Sequence, residues 1–208
     1  MDQSTRFWDK IAERYARQPI ADEEAYQKKL DVTRGYFRPD MEVLEFGCGT
    51  GSTAISHAPY VKHILATDVS SKMIAIAQDK ARADNISNAT FRQSSIDELD
   101  LPSQSLDAVL GLSILHLLES RDEAIASVYE MLKPGGVFVT STVCLGDSAM
   151  RYLKFIVPIG RFLNLMPMVK VFTEAELAAS LTKLGFDIDY QWRPDKSIAV
   201  FIVARKPE

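Results

Sequence analysis

The chain has 208 residues, 47% of them hydrophobic and 25% charged, and a formal net charge of −4. That length and apolar content suffice for one buried core, and no repeat or linker divides the chain, so positions 1–208 are expected to form a single domain. The acidic balance lacks the basic footprint of a nucleic-acid binder, and no such partner is expected.

In chain order, residues 7–15 and 23–36 read first, as two helices. Phe7, Trp8, Ile11 and Tyr15 recur at spacings of three and four and make one apolar face. An apolar run, Val43, Leu44, Glu45, Phe46, then passes into Gly47, Cys48, Gly49, Thr50 and Gly51, with glycines at alternate positions. This predicts a strand turning tightly into a helix that starts near Gly51, with free N–H groups and a positive dipole end for a small ligand. A dinucleotide loop wants glycine at the sixth position from Gly47, where Ser52 stands, so NAD is the weaker ligand.

The run from Val43 to Gly51 resembles the first motif of class I S-adenosylmethionine-dependent methyltransferases, in which the loop wraps the amino acid end of the cofactor. The resemblance implies Glu45, Phe46, Gly47, Cys48, Gly49 and Gly51 as cofactor-binding residues. A carboxylate at Glu45 suits an ammonium and a sulfonium and would repel a pyrophosphate. A glycine-rich turn in an unrelated α/β protein is the alternative.

Residues 63–67 read as a short buried strand ending at Asp68. By the resemblance Asp68 accepts both ribose hydroxyls, with Val69 and Met73 beside it; read alone, the same segment is a helix start capped by Ser70. Residues 90–102 give a third strand and an acidic turn like the loop that reads adenine. The family's acid falls on Ser95, so a hydroxyl would replace a carboxylate there, with Asp97 as the fallback one or two residues out of register. Ile96 would offer its backbone N–H to the ring and its side chain to the face of the base.

Residues 105–118 resemble the fourth strand and its helical turn, with Gly111 and Leu112 beside the cofactor's sulfur. His116 is the candidate catalytic residue, as a general base or as a wall of the pocket; a histidine simply satisfied at a helix start is the plainer reading. Ser120 and Glu123 predict a capping box before a helix over 124–132, a Lys133-Pro134-Gly135-Gly136 turn, and a strand from Val137. Thr173 and Glu176 make a second box for a helix that Gly185 ends, and two strands, 186–192 and 197–204, follow around 193–196.

From Met41 onward the resemblance implies an α/β, Rossmann-like, doubly wound seven-stranded sheet of order 3-2-1-4-5-7-6 with its last strand antiparallel. Residues 1–38 would be cap helices, bringing Tyr15, Tyr26 and Lys29 toward the cofactor's carboxylate or the acceptor. Residues 145–172 would be an inserted helical lid. Its core, 150–171, is apolar and Met-bearing and carries Arg151, Lys154, Arg161 and Lys170 with no acid between Asp147 and Glu174. Such a segment suits a hydrophobic or aromatic acceptor, an acidic substituent or a peripheral membrane contact, and equally a dimer interface, so both monomer and homodimer stay open.

No apolar leader opens the chain, and the longest apolar stretch is cut by Pro158, Gly160, Arg161, Asn164 and Pro167, which predicts a cytoplasmic protein without a membrane span. Cys48 and Cys144 are the only cysteines, suit no metal motif and are expected as thiols. The 111–114 segment, Gly-Leu-Ser-Ile, lacks both the Pro-Pro-aromatic motif of nucleic-acid amino-methyltransferases and the acid of metal-dependent catechol-type enzymes, so no metal is expected. The resemblance therefore implies an S-adenosylmethionine-dependent methyltransferase, releasing S-adenosylhomocysteine after in-line transfer to a small molecule. The alternatives are a protein that binds S-adenosylmethionine without transferring a methyl group and, less well supported, an NAD-dependent oxidoreductase.

Overall fold

The computed structural model describes residues 3–148, 152, 168–194 and 197–208. The expected lid therefore lies largely outside the described residues, with Arg151, Lys154 and Arg161, as do Asp195 and Lys196 of the last turn.

Two helices open the chain, α1 (Gln3–Ala16) and α2 (Glu23–Arg34). Asp22 caps α2 by accepting the Ala25 N–H at 2.9 Å. There follow β1 (Glu42–Phe46), α3 (Ser52–His57), β2 (His63–Asp68), α4 (Ser71–Ala83) and β3 (Ala89–Gln93). The second half comprises β4 (Leu106–Leu112), α5 (Arg121–Met131), β5 (Leu132–Val143), α6 (Glu174–Lys183), β6 (Asp187–Trp192) and β7 (Ala199–Arg205). The strands form one seven-stranded sheet in the order β3-β2-β1-β4-β5-β7-β6, as the resemblance implies. Strand β7 is antiparallel to both β5 and β6, while the other pairs are parallel.

The period of two along each strand divides the core. Leu44, Phe46, Val109, Phe138 and Ile202 face α5 and α6, whereas Val43, Ile64, Ala66, Leu110, Val139 and Val203 face α3 and α4. Central strands are covered on both faces and read as unbroken apolar runs, such as Ala199 to Ala204. On the first face, Phe46 stacks on Phe138 with centroids 6.3 Å apart, and Phe186 closes on Phe138 at 6.0 Å. Burying each such side chain contributes roughly 1.5 to 3 kcal/mol. Gly111 belongs to this packing: a Cβ there would meet Phe46 Cζ at 2.7 Å.

Two local expectations are corrected. Ser120 and Glu123 do not form a capping box, because Ser120 sits at φ −116°, ψ 71° and its hydroxyl makes no cap bond. Tertiary contacts hold that helix start instead: the Arg121 guanidinium lies 4.4 Å above the Phe172 ring and donates to Ser180 Oγ at 2.7 Å. Residues 133–136 are not a turn ahead of the strand but a bulge inside β5, since Leu132 pairs with Leu106 and Val137 with Ala108. Lys133 Nζ, 2.9 Å from both Asp107 carboxylate oxygens, fastens the bulge to β4. The Thr173–Glu176 box, by contrast, forms.

His57 is fully buried at the end of α3, edge-on to Phe37 with ring centroids 5.1 Å apart, and neither ring nitrogen has a hydrogen-bond partner among the described residues. Burial, helped by the nearby Arg34 charge, pushes it down from 6.5 to about 3. Between those values the unfolded chain takes up a proton that the folded chain refuses, so stability is lost as pH falls through that window and is unaffected above it. Denaturant unfolding at pH 7 and pH 4 should show His57→Leu losing less stability than the wild type, by at most about 3 kcal/mol.

Candidate functional site

The sheet order reverses between β1 and β4, which opens a crevice above their carboxyl ends. The glycine loop lies there. Gly47, Gly49 and Gly51 have φ of 66°, 53° and 75°, all in the left-handed region. Two of them also answer close approaches: a Cβ on Gly47 would lie 2.6 Å from the Ile114 side chain, and one on Gly51 2.6 Å from Ala77 and 2.7 Å from Phe91. The loop is thereby wedged between the segment after β4 on one side and α4 with β3 on the other. Its backbone is tied down by Cys48 N–H to Thr67 O at 2.9 Å.

Two carboxylates border this loop. Glu45, near the end of β1, is 3% exposed; it accepts the Ala54 N–H, while its Oε2 has no partner among the described residues. Burial first, and the neighbouring Asp68 charge second, push Glu45 up to about 8. Asp68 joins two loops, Oδ2 accepting the Gly49 N–H and Oδ1 the Ser70 N–H, each at 2.9 Å. Burial raises its pKa as well, against the lowering pull of those N–H groups. Tyr15 on α1 covers the loop, its ring 3.7 Å from where a Gly49 Cβ would stand. Partial burial, then the charges of Asp68 and Glu45, raise the phenol's pKa, although the residue keeps 43% of its surface exposed.

Other residues expected at the site fall into two groups. Val69, Ser95, Leu112 and His116 are half-buried at the carboxyl ends and border the crevice. Ser95 caps a 3-10 turn, Ile96–Glu98, and its N–H donates to the Glu98 carboxylate at 3.1 Å, while Asp97 is exposed. His116 lies in the 3-10 turn Leu115–Leu117; burial pushes it down to about 4, and its Nδ1 has no partner among the described residues. Phe46 and Ile96, at 2% and 4% exposure, instead point their side chains into the core, while Met73, 1% exposed, is buried in the first turn of α4. The side-chain role expected of Ile96 against a ligand is corrected on that ground: it packs with Leu99 and Leu115. Tyr26 is half-buried in the first turn of α2, bonded through its N–H to Asp22 O. Cys48 is buried and its thiol pKa is raised well above the ordinary value, first by burial and then by Glu45 and Asp68, so it is an inert wall.

Sequence reasoning passed over Asp9. Its Oδ1 accepts the Ser70 hydroxyl at 2.6 Å and the Lys72 N–H at 3.2 Å, pinning α1 to the start of α4 beside Asp68. Nothing in the local sequence marks it, since a polar residue beside an apolar helix face is ordinary. Ser113, at φ 59°, was overlooked too; its N–H donates to Ser141 O at 2.7 Å where the chain leaves β4. Among the described residues there is no cluster of three or more His, Cys, Asp or Glu placed to hold a metal, and no helix long and apolar enough to cross a membrane.

Comparison with known proteins gives this geometry a family setting. Residues 43–136 match the family model described as a methyltransferase domain. The ubiquinone/menaquinone biosynthesis C-methyltransferase UbiE of Vibrio campbellii is 30% identical over 113 residues, 52% of this chain and 44% of that protein. An uncharacterized methyltransferase of Bacillus subtilis, YcgJ, is 28% identical over 102 residues, 49% of this chain and 40% of that protein. The chain thus spans less than half the length of these curated relatives. The crystal structure of YcgJ superposes with a TM-score of 0.72 at 17% identity, covering 88% of this chain and 99% of that one. The [4+2]-cyclase SpnF superposes at 0.73 and 20% identity, covering 86% and 81%.

Because Asp9 serves both as partner of the Ser70 hydroxyl and as a second cap of α4, Asp9→Ala should loosen α1. Hydrogen exchange of the α1 amides should accelerate severalfold while the sheet amides stay protected, with a loss of about 0.5 to 2 kcal/mol in global stability.

Proposed function

We infer that this chain is a class I S-adenosylmethionine-dependent methyltransferase, which binds S-adenosylmethionine above β1 and β2 and methylates a small hydrophobic or aromatic molecule. The observation that carries the reading is Glu45 Oε2, a buried acceptor without a donor beside a loop of left-handed glycines. An ammonium group supplies what it lacks. Asp68 Oδ2 accepts the Gly49 N–H and Oδ1 the Ser70 N–H, the Val69 N–H also bonds the carboxylate, and the acceptor capacity that remains suits a ligand hydroxyl. Neither acid forms an ion pair with Lys or Arg among the described residues, so each, when ionised, is free to favour a cationic ligand over a pyrophosphate.

S-adenosylmethionine, when bound, supplies an electrophilic methyl group for in-line transfer to oxygen, nitrogen or carbon. In this reading Glu45 and the backbone of Gly47, Cys48, Gly49 and Gly51 hold its amino acid end, Asp68 its ribose, and Val69, Ser95 and the Ile96 N–H its base. Tyr15 and the two N-terminal helices exclude water. Holding the reactants in line accounts for most of the acceleration, with up to about 7 to 11 kcal/mol available from positioning in ideal cases. His116 stands ready as a neutral imidazole, its value of about 4 making it a weak base at pH 7.

That weakness, with Ser95 in the place of an acid, favours a second reading: a protein that binds the cofactor and transfers nothing. A fold shared with a [4+2]-cyclase is compatible with either.

Calorimetry should detect S-adenosylhomocysteine binding that Asp68→Asn weakens by roughly tenfold or more; no binding by the wild-type chain would overturn the assignment. Methyl transfer to any member of a panel of phenols and lipophilic amines separates the first reading from the second. If His116 acts as a base, His116→Gln lowers turnover and removes a pH-dependent limb; unchanged turnover leaves it a pocket wall.

Glu45 also predicts a proton linkage. At pH 7 it is largely protonated, and a bound ammonium favours its ionised form, so S-adenosylhomocysteine binding should release protons, read as a dependence of the calorimetric enthalpy on buffer ionisation. Glu45→Gln should abolish that release and weaken binding. In the free protein the raised value means that Glu45 withdraws stability as pH rises from 4.5 through 8, and the glutamine variant should level that decline.

A further inference from the structure

Lysine at position 29 contradicts the pattern of its own helix. The inward stripe of α2 holds Ala25, Leu30 and Thr33, all buried, and Lys29 lies half-buried within it. A charged residue on a core-facing stripe is costly without a partner or a task. Its Nζ donates to Ser141 Oγ at 3.0 Å. Ser141 is 3% exposed and occupies the face of β5 on which Val137 and Val139 precede it, so its hydroxyl stands where an apolar group would otherwise pack. The partner is neutral. An ammonium has three donors, and no carboxylate lies within ion-pair distance of Lys29 among the described residues. Asp22, whose field does reach Lys29, is engaged as the cap of α2.

The register fixes where this ammonium stands. Glu45 is level with Leu110 of β4, which is level with Val139 of β5; one step further along the same face, Leu112 is level with Ser141. Lys29 is thus anchored two strands across from Glu45, roughly 10 Å of sheet, and nearer the carboxyl edge. Leu112 lies between them. At that level the chain leaves β4 through Ser113, whose N–H is held by Ser141 O. The crevice accordingly has an acidic pole over β1 and β2 and a basic pole over β5, with an apolar floor between.

Resting on the methyl-transfer reading above, we propose that Lys29, seated on Ser141, is the anion-binding pole of the acceptor site and holds an ionised oxygen of the acceptor, a phenolate, enolate or carboxylate, above Leu112. The net negative charge of the chain would repel such a ligand, which makes a local cation necessary to capture it. A phenol or enol that sheds its proton to solvent on entering leaves no task for a protein base, in keeping with the neutral imidazole of His116.

The test uses the wild-type chain, Lys29→Met, Lys29→Arg and Ser141→Ala, each with S-adenosylhomocysteine present. Methionine suits an inward helical position, so the variant fold should persist, which circular dichroism checks. Three probes of similar shape, 4-nitrophenol, 4-nitrobenzoate and nitrobenzene, are titrated in turn. The wild type should bind one or both anions more tightly than nitrobenzene, with 4-nitrophenol moving to its phenolate absorption band on binding. Lys29→Met should weaken the anion roughly tenfold to a hundredfold and leave nitrobenzene unchanged; Lys29→Arg should keep the preference and Ser141→Ala reduce it. Tighter binding of the phenol than of the benzoate assigns the oxygen to a phenolate or enolate, and the reverse to a carboxylate. Equal binding of all three probes by the wild type, or anion binding untouched in Lys29→Met, overturns the proposal. So does a loss of S-adenosylhomocysteine affinity in Lys29→Met, which would give the ammonium to the cofactor's carboxylate. If the wild type fails to bind S-adenosylhomocysteine at all, the methyl-transfer reading itself has failed, and that outcome is separate from the others.

Discussion

The Asp68 carboxylate, bridging the Gly49 N–H and the Ser70 N–H, is the contact on which the crevice depends. One oxygen holds the loop after β1 and the other the turn into α4, so two segments with no pairing of their own share a single anchor. Ser70 in turn caps α4 through the Met73 N–H and donates to Asp9 on α1. A chain of four groups therefore runs from the cap helix through the helix start to the glycine loop. Charge-assisted bonds of this kind are short and directional, and they favour the ionised acid against the burial that opposes it.

Charge in the crevice is arranged against the ordinary rule of burial. Glu45, Asp68 and the Tyr15 phenol crowd the β1 and β2 side, where burial raises all three and the Asp68 charge adds to the rise at Glu45 and Tyr15, while Lys29 lies on the β5 side with a neutral partner. An isolated buried acid is costly, and two adjacent ones more so, which is why Glu45 holds its proton near neutrality. Such unresolved electrostatics mark a place prepared for a ligand rather than for stability. The acidic side suits a cationic ligand; the basic side suits an anionic one.

Outside the crevice the polar groups are resolved by plain structural means. Lys206, 8% exposed, donates to the Tyr129 and Leu132 carbonyls and so closes the end of α5. Edge strands β3 and β6 carry exposed polar residues, Arg92 and Gln93 on one and Asp187 and Asp189 on the other, which discourages pairing with a further strand. His57 is an exception, a buried base with no partner for either ring nitrogen among the described residues, and it lies at the opposite end of α3 from the glycine loop.

Much of the fold was legible because its signals are local. Alternate glycines, the acid ending β2, Ser70 before α4 and the Thr173–Glu176 box each lie within a few residues of what they determine, and strand order followed from resemblance. Ser120 failed as a cap because a contact from the distant Phe172 ring and Ser180 hydroxyl outweighed it. Gly111 makes room for Phe46, a neighbour one strand away, which no local pattern announces. The sequence by itself determined the secondary structure, the family resemblance and the presence of two acids beside a glycine loop. Only the tertiary structure decided that Asp9 ties α1 to Ser70, that Ile96 faces inward, and that Lys29 meets Ser141 across 112 positions of chain. Hydrogen bonding and burial act over a few ångströms of space, and sequence separation carries no information about that distance until the sheet sets its register.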